Sequence, residues 1–295
     1  MKRVIPTSQM LVNDNGRIYH LDLLPEEIAD DIILVGDPGR VTTVSDKFDK
    51  IEVKRSNREL VTHTGYFNGK RITVLSTGMG TDNIDIVINE LDALANIDLK
   101  NRVVKDTHRT LNLVRLGTSG ALQADIEVGD SYVASRYAVG LDGLAYFYKE
   151  SSEVIDKEAT DDFIKFMDYP SELPRPYVVK SSDALFEKLS EGCYKGITAT
   201  APGFYGPQGR EVRLSLAHPT INSRLEDFKY GEWKIVNFEM ESSALFSLSR
   251  MFGHNAMTVC SIVANRVSEK SCKDYHPFIE KLVISTLEKL AKKLF

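Results

Sequence analysis

The sequence predicts a single α/β domain in which a mixed, largely parallel central β-sheet is flanked by helices. Short apolar runs alternate with longer segments of helical period along 295 residues, 42% of them hydrophobic. This alternation is typical of a sheet whose crossover helices cover both faces. No internal repeat, low-complexity tract or Pro/Gly/Ser-rich linker marks a boundary, so one domain over residues 1–295 is expected.

The hydrophobic periodicity predicts individual helices and strands. The helical pattern is clearest over residues 82–95, where Ile84, Val87 and Leu91 share one face, and we predict further helices over 241–252 and 278–294. Strands are predicted at residues 32–36, 72–77, 113–116, 131–134, 177–180, 193–200 and 257–262. The charged stretch 96–108 and the acidic stretch 151–162 are interpreted as surface excursions from the core.

Composition excludes several classes of protein. With 37 basic and 42 acidic residues, the net charge of −5 offers no general positive field for nucleic acid or for an anionic membrane. The three cysteines form no CxxC pair, so neither a zinc site nor a disulfide framework is expected. No secretory apolar region follows Lys2 and Arg3, and no apolar run approaches ~20 residues, so the expected location is the cytoplasm.

Three strand ends open into glycine-rich loops. Residues 36–40 read Gly-Asp-Pro-Gly-Arg, residues 76–80 read Ser-Thr-Gly-Met-Gly, and residues 115–120 read Arg-Leu-Gly-Thr-Ser-Gly. Glycine lets the backbone approach an anion closely, and an arginine fork matches phosphate oxygens. Each loop alone is equally well read as an ordinary turn beside a surface arginine. Together they predict the floor of a phosphate site.

In their order along the chain these motifs resemble the nucleoside phosphorylase family, and within it the uridine phosphorylases, from about residue 19 to the final helix. Two further motifs extend the resemblance, Phe-Glu-Met-Glu-Ser at residues 238–242 and Asn265-Arg266. Each motif alone is weak evidence for the family, whereas five motifs in the same order are a specific resemblance.

The resemblance implies a phosphate site and a ribose site. The residues that it assigns to phosphate are Gly36, Arg40, Arg115 and Thr118, joined by Arg58 from a neighbouring subunit. Those that it assigns to ribose are Met240, Glu241 and His20, the last lent across a dimer to the 5′-hydroxyl. Without the resemblance, Arg58 reads as a surface charge, His20 as a structural histidine, and the acids at 239–241 as a favourable first helical turn. A shared site implies a homo-oligomer, at least a dimer.

The base-reading segment is Phe204-Tyr205-Gly206-Pro207-Gln208-Gly209-Arg210. The amide of Gln208 can pair with the N3–H and O2 edge of a pyrimidine, and Arg210 can donate to O4. The resemblance adds Phe204, Gly120 and Val263 around the base. Pro207 departs from the family, which usually has glycine there, so the backbone before Gln208 is expected to be shifted.

The reaction that the resemblance implies is phosphorolysis of uridine, and of deoxyuridine as an open alternative, to uracil and ribose 1-phosphate. Arg115, Gln208, Arg210 and Glu241 are the candidate catalytic residues, with inorganic phosphate as co-substrate and neither cofactor nor metal. Purine-specific relatives typically carry an aspartate where this chain has Asn265-Arg266. A purine nucleoside phosphorylase, a hydrolytic nucleosidase on the same fold and a non-catalytic nucleoside-binding protein remain the alternatives. The link over residues 96–111 is longer than in compact bacterial members, which bears on how subunits assemble.

Overall fold

The apolar runs of the sequence become the central strands of one sheet, and the computed structural model describes residues 2–292. All five side chains of the first strand are buried, as expected where helices cover both faces of a sheet. The strands are β1 (Asp31–Val35), β2 (Lys50–Asn57), β3 (Leu60–Phe67), β4 (Lys70–Ser76), β5 (Ile97–Asp98), β6 (Val103–Val104), β7 (Asn112–Ala121), β8 (Tyr132–Gly140), β9 (Tyr177–Lys180), β10 (Tyr194–Thr200), β11 (Lys229–Tyr230), β12 (Trp233–Glu239), β13 (Asn255–Asn265) and β14 (Lys270–Ser271).

The sheet contains a closed ring of strands. Neighbours β12, β10, β8, β13 and β7 follow one another, and an additional pairing of β12 with β7 closes the ring. From β7 the sheet continues through β1, β4, β3 and β2. The pairs of β1 with β4 and β7, and of β10 with β8 and β12, are parallel, whereas β2, β3 and β4 form an antiparallel meander. The predicted α/β class with a mixed sheet is confirmed.

Helices cover the two faces of this sheet. On one face, Ile84 and Leu91 pack in the same cluster as Leu245 and Leu248; on the other, Leu282 belongs to a second cluster. No helix in the described part of the chain is both long and apolar enough to cross a membrane. The helices are α1 (Gly39–Ser45), α2 (Thr81–Asn96), α3 (Ser151–Val154), α4 (Lys157–Met167), α5 (Asp183–Leu189), α6 (Ile221–Asp227), α7 (Ser242–Met251) and α8 (His276–Ala291).

Several elements differ from the sequence prediction. The acidic stretch 151–162 is not a simple surface excursion, because it forms α3 and the start of α4, whose Ala159 and Phe163 are fully buried. Residues 278–291 are helical as predicted, and residues 293–294 of that prediction lie outside the described range. The stretch 96–108 contains the β5–β6 hairpin, where the Arg102 side chain donates to the carbonyls of Ile5 and Pro6 at 2.8 and 2.9 Å.

Strands β10 and β12 approach each other closely at Gly196 of β10. A Cβ there would stand 2.7 Å from the carbonyl oxygen of Lys234 and 2.6 Å from Val236, both on β12. Gly196→Ala is therefore expected to lower the free energy of unfolding by about 1–3 kcal/mol, as overpacking does. Lys195→Ala, at the exposed neighbouring position, is the control and should change stability by less than ~0.5 kcal/mol in urea unfolding. Equal stabilities of the two variants would contradict this close approach.

Candidate active site

Arg115 lies in the interior of β7, and the predicted glycine-bounded loop after residue 116 is instead part of this strand. The strand runs on to Ala121, so Thr118 and Gly120 pair with β13 and β12 within the sheet. The prediction of a loop at 117–120 is therefore wrong, and the predicted contact of Thr118 with phosphate stays a prediction. The sequence was misleading because glycine and hydroxyl residues usually end strands, and here they continue one.

Gly117 has a different use from the one predicted. A Cβ at this position would lie 2.1 Å from Nη1 of Arg115 and 2.9 Å from Sγ of Cys260. Glycine therefore makes room for the guanidinium of Arg115 on the same strand.

The two hydroxyl residues that follow Gly117 differ in burial. Ser119 is buried and its hydroxyl accepts a hydrogen bond from the Asn237 amide at 2.9 Å, whereas Thr118 is half-buried.

The Arg115 guanidinium is held between two buried carboxylates. Nη2 donates to Glu241, and Nη1 is 3.3 Å from Oε2 of Glu239. Glu239 is the last residue of β12, and Glu241 is the N-cap position of α7. All three side chains are at most 6% exposed. The cluster therefore ties β7 to β12 and to the start of α7.

Each carboxylate is held by further donors. Glu239 accepts from the backbone N–H groups of Glu241 and Ser242 at 3.0 Å and from the hydroxyl of Thr200 at 2.7 Å. Oε1 of Glu241 accepts from the N–H of Gly80 at 2.8 Å, and Gly80 has φ 95°, a left-handed conformation that favours glycine. The glycine-rich 76–80 loop thus positions Glu241 as well as lining a strand end.

Burial and charge set the protonation of this cluster. Burial raises the pKa of Glu241 above its ordinary value, Arg115 opposes that shift, and Glu239 adds to it. Burial alone would lower the pKa of Arg115, but the charges of Glu241 and Glu239 raise it. The guanidinium is therefore permanently charged. Its one positive charge can balance only one of the two carboxylates when both are ionised.

Of the other predicted phosphate residues, Gly36 and Arg40 follow β1, and the glycine-rich 76–80 loop follows the neighbouring strand β4. A Cβ on Gly36 would be 3.4 Å from the Gly78 carbonyl oxygen, so the loops after these strands touch. Arg40 is half-buried in the first turn of α1, with its guanidinium 5.9 Å from the centre of the Tyr275 ring. Arg58 is exposed in the turn between β2 and β3, with φ 53°. The structure brings Gly36 and the 76–80 loop together and leaves Arg58 on the surface.

The base-reading segment is folded around a short 3-10 turn, Gly206–Gln208. Pro207 stands in the first turn, where a backbone N–H would have no helical partner, so its missing donor costs little. Gln208 is 3% exposed, and its Oε1 accepts from Nη1 of Arg210 at 2.6 Å. The guanidinium of Arg210 lies 3.7 Å above the ring of Phe204. The predicted guanidinium of Arg210 thus contacts both the predicted amide and the predicted aromatic ring.

Arg266 joins this segment to the sheet, a role that the sequence analysis did not assign. Its guanidinium donates to the carbonyls of Gln208 and Gly209 at 3.1 and 3.3 Å. A Cβ on Gly120 would lie 3.7 Å from Cγ of Arg266, so the predicted base residue Gly120 adjoins the same side chain. Burial, followed by the positive charge of Arg266, lowers the pKa of Arg210 to about 10.

Val263 and Met240 flank these clusters. The pairing of β13 with β7 shifts register between Ile262 and Ala264, which leaves half-buried Val263 as an extra residue in its strand. Bulges of this kind often re-aim side chains next to binding sites. Met240, also half-buried, stands between Glu239 and Glu241.

His20 stands apart from the Arg115 cluster. Its Nδ1 is 2.6 Å from Oε1 of Glu90 on α2, and its carbonyl oxygen accepts from the Asn57 side chain at 2.9 Å. Asn57 directly precedes Arg58, so the two residues assigned to a neighbouring subunit lie in adjoining surface segments. Within one chain the structure does not bring His20 into contact with Glu241.

An apolar cavity of about 650 Å³ lies beside the base-reading segment. It adjoins Arg210 and does not include the predicted phosphate and ribose residues. Its lining includes Leu141, Tyr169, Pro202, Tyr205, Pro207 and Leu214. Among residues 2–292, no group of three or more His, Cys, Asp or Glu side chains has an arrangement suited to a metal ion.

Glu239, Glu90 and Arg266 were missed as site residues for different reasons. Glu239 and Arg266 stand inside motifs that the sequence analysis recognised, yet nothing in the motifs shows which charged side chain points inward. Glu90 is 70 residues from His20, and no local pattern links the two.

Comparison with known proteins places this geometry in context. The chain matches the Phosphorylase superfamily over residues 30–295. It is 32% identical over 259 residues to a uridine phosphorylase of Thermococcus kodakarensis, covering 87% of this chain and 80% of that protein. It is 24% identical over 276 residues to a DeoD-type purine nucleoside phosphorylase of Listeria welshimeri, covering 92% and 99%. A Trypanosoma brucei nucleoside phosphorylase described as showing uridine phosphorylase activity superposes with a TM-score of 0.85 at 28% identity, covering 95% and 99%.

The buried charges predict a pH-dependent loss of stability in Arg115→Met. Without the guanidinium, Glu239 and Glu241 are uncompensated, and the variant should lose about 3–5 kcal/mol of unfolding free energy at pH 8. Burial already raises the pKa of Glu241, and without Arg115 that pKa lies further above the unfolded value of about 4.3. Such groups stabilise the fold below the unfolded pKa and lose that contribution as pH rises through the folded pKa. The deficit should therefore be smaller at pH 5.5 than at pH 8 in urea unfolding.

Arg40→Met serves as the matched control, because it removes a half-buried guanidinium that lies over Tyr275. Arg40→Met should lose less unfolding free energy than Arg115→Met, and its loss should not change comparably between pH 5.5 and pH 8. A deficit for Arg115→Met that is equal at both pH values would contradict the two-carboxylate cluster.

Proposed function

Because this chain belongs to the Phosphorylase superfamily, we propose that it catalyses the reversible phosphorolysis of uridine to uracil and ribose 1-phosphate. The observation that carries the choice of a pyrimidine is the contact between Gln208 and Arg210 over Phe204. An amide beside a guanidinium supplies one acceptor and several donors, which match the N3–H, O2 and O4 edge of uracil. The sequence relative and the solved structure that carry uridine phosphorylase in their descriptions support this choice.

Phosphate is the proposed co-substrate, and the reaction uses no cofactor. Gly36 and Arg40, at the end of β1, would hold it with Thr118 of β7 and with Arg58 from a neighbouring subunit. Arg115 would act on phosphate through its charge rather than through Nη1 or Nη2, because these atoms are already paired with Glu239 and Glu241. This arrangement would aim one phosphate oxygen at C1′ of the ribose, a positional and electrostatic contribution.

Ribose would be held by Met240 and Glu241. A carboxylate accepts hydrogen bonds from sugar hydroxyls, and the N–H of Gly80 and the guanidinium of Arg115 fix the direction of Glu241. As the glycosidic bond breaks, positive charge develops on the sugar and negative charge on the base. The phosphate oxygens and Glu241 would stabilise the first charge.

The departing uracil anion would be stabilised by Arg210 and Gln208. The pKa of Arg210, lowered to about 10 by burial and by Arg266, still leaves the guanidinium charged at neutral pH. Because its hydrogen bonds strengthen as charge develops on the base, they lower the barrier more than they tighten ground-state binding. Gly120 and Val263 would complete the walls around the base.

The proposed site requires at least a dimer. His20 and Arg58 lie in adjoining surface segments of one chain, and the ring of His20 pairs with Glu90 rather than with Glu241 of the same chain, as expected of a residue lent to a neighbour. The net charge of −5 fits small-molecule substrates better than nucleic acid or an anionic membrane, and a cytoplasmic location fits this role.

One assay separates this proposal from its alternatives. The protein is incubated with uridine or inosine, with and without phosphate, and free base, ribose and ribose 1-phosphate are measured. We expect uracil and ribose 1-phosphate from uridine only when phosphate is present. Hypoxanthine as the main product would identify a purine nucleoside phosphorylase, free ribose without phosphate a hydrolase, and tight binding without turnover a nucleoside-binding protein.

Two arginine variants should separate base recognition from phosphate binding. Arg210→Ala removes a charge-assisted hydrogen bond to the developing anion, so kcat/KM for uridine should fall by at least about tenfold, with the KM for phosphate nearly unchanged. Arg40→Ala should raise the KM for phosphate several-fold and leave that for uridine close to wild type. If Arg210→Ala weakened phosphate as much as uridine, the assigned roles would be wrong.

A further inference from the structure

The carboxylate of Glu90 forms a seat for the segment that carries His20. It accepts from the backbone N–H of His20 at 3.0 Å, from the N–H of Leu21 at 2.8 Å and from Nδ1 of His20 at 2.6 Å. The Glu90 side chain is 12% exposed and that of His20 is 25% exposed. The seat therefore fixes both the backbone and the ring of His20 while leaving part of the ring open.

This contact selects one form of the imidazole. An ionised carboxylate can only accept hydrogen bonds, so Nδ1 of His20 must carry a proton to donate to Glu90. In the neutral ring, Nε2 then has a free lone pair and acts as an acceptor. The partner of one ring nitrogen thus sets the role of the other.

The position of Glu90 on α2 directs His20 away from the site of its own chain. Gly80, immediately before α2, donates to Glu241, and Glu90 lies nine residues after the first helical residue, Thr81. At the rise of an α-helix that separation is roughly 14 Å. The other side of the His20 segment is held by the Asn57 side chain, which donates to the carbonyls of Tyr19 and His20.

From this geometry we propose that Glu90 is a positioning residue for nucleoside recognition, acting through His20 on the active site of a neighbouring subunit. By holding the proton on Nδ1, Glu90 presents Nε2 of His20 as an acceptor for the 5′-hydroxyl of the nucleoside. The inference rests on the proposed function. It assigns Glu90 to discrimination between nucleosides with and without a 5′-hydroxyl.

The test compares uridine with 5′-O-methyluridine, whose ether oxygen accepts but cannot donate, in wild type, Glu90→Gln, His20→Ala and the double variant. Glutamine keeps one oxygen acceptor for the backbone N–H groups, so the segment can remain in place. Its amide donates to Nδ1 and moves the ring proton to Nε2, which can then donate to the oxygen of either substrate. In wild type we expect kcat/KM to favour uridine by roughly three- to tenfold, the worth of one hydrogen bond. Glu90→Gln and His20→Ala should each reduce this preference to about twofold or less, and the double variant should match His20→Ala.

Asp82→Asn is the matched control, because it changes an exposed acid to its amide in the first turn of the same helix. It should keep the wild-type preference. Equal losses on both substrates in Glu90→Gln, or a further loss of preference when that change is added to His20→Ala, would overturn the inference. A wild-type protein that splits neither substrate would instead refute the proposed function, and the inference with it.

Discussion

The ion cluster of Arg115 with Glu239 and Glu241 is the interaction on which the rest of the site depends. It lies where β7 and β12 close the ring of strands, and it includes Glu241 at the N-cap position of α7. Burying three charged groups is costly unless each is paired and hydrogen-bonded. Donors from Thr200, Ser242 and the 76–80 loop meet that need for the two carboxylates. The N–H of Gly80 and the guanidinium of Arg115 fix Glu241, the carboxylate that is proposed to hold ribose.

Around this rigid centre, the binding groups lie on segments of different origin. Gly36 and Arg40, which are proposed to bind phosphate, follow a parallel strand, where loops gather at the carboxyl edge of a sheet. The base-reading residues lie on a loop that Arg266 fastens to the sheet. His20 reaches the surface on an N-terminal segment held by Glu90. In the proposed function, the fold therefore supplies a fixed carboxylate for ribose, and the surrounding segments set specificity.

Much of the fold could be predicted from the sequence, because buried strands and amphipathic helices leave strong periodic patterns. The apolar runs at 32–36 and 72–77 and the face of α2 are examples. Strand β2 was missed because its side chains alternate between half-buried and exposed. Helix α4 was missed because its many charges mask a buried face that contains Phe163. Motif order identified the candidate site residues, since each motif is contiguous.

Contacts between distant parts of the chain could not be read in this way. Arg115 and Glu241 are 126 residues apart, and nothing local shows that the arginine points inward at a carboxylate. The role of Gly117 likewise follows only from the path of the Arg115 side chain. The sequence predicts the candidate site residues, whereas the three-dimensional arrangement shows which of them touch.

The most direct test of this account is a crystal structure of the protein with uridine and sulfate, an unreactive stand-in for phosphate. The account predicts that Glu241 accepts hydrogen bonds from the ribose while still paired with Arg115, and that Gln208 and Arg210 meet the uracil edge. Sulfate should lie beside Gly36 and Arg40. Uridine bound only in the apolar cavity beside Tyr169 and Leu214, with Glu241 uncontacted, would contradict it.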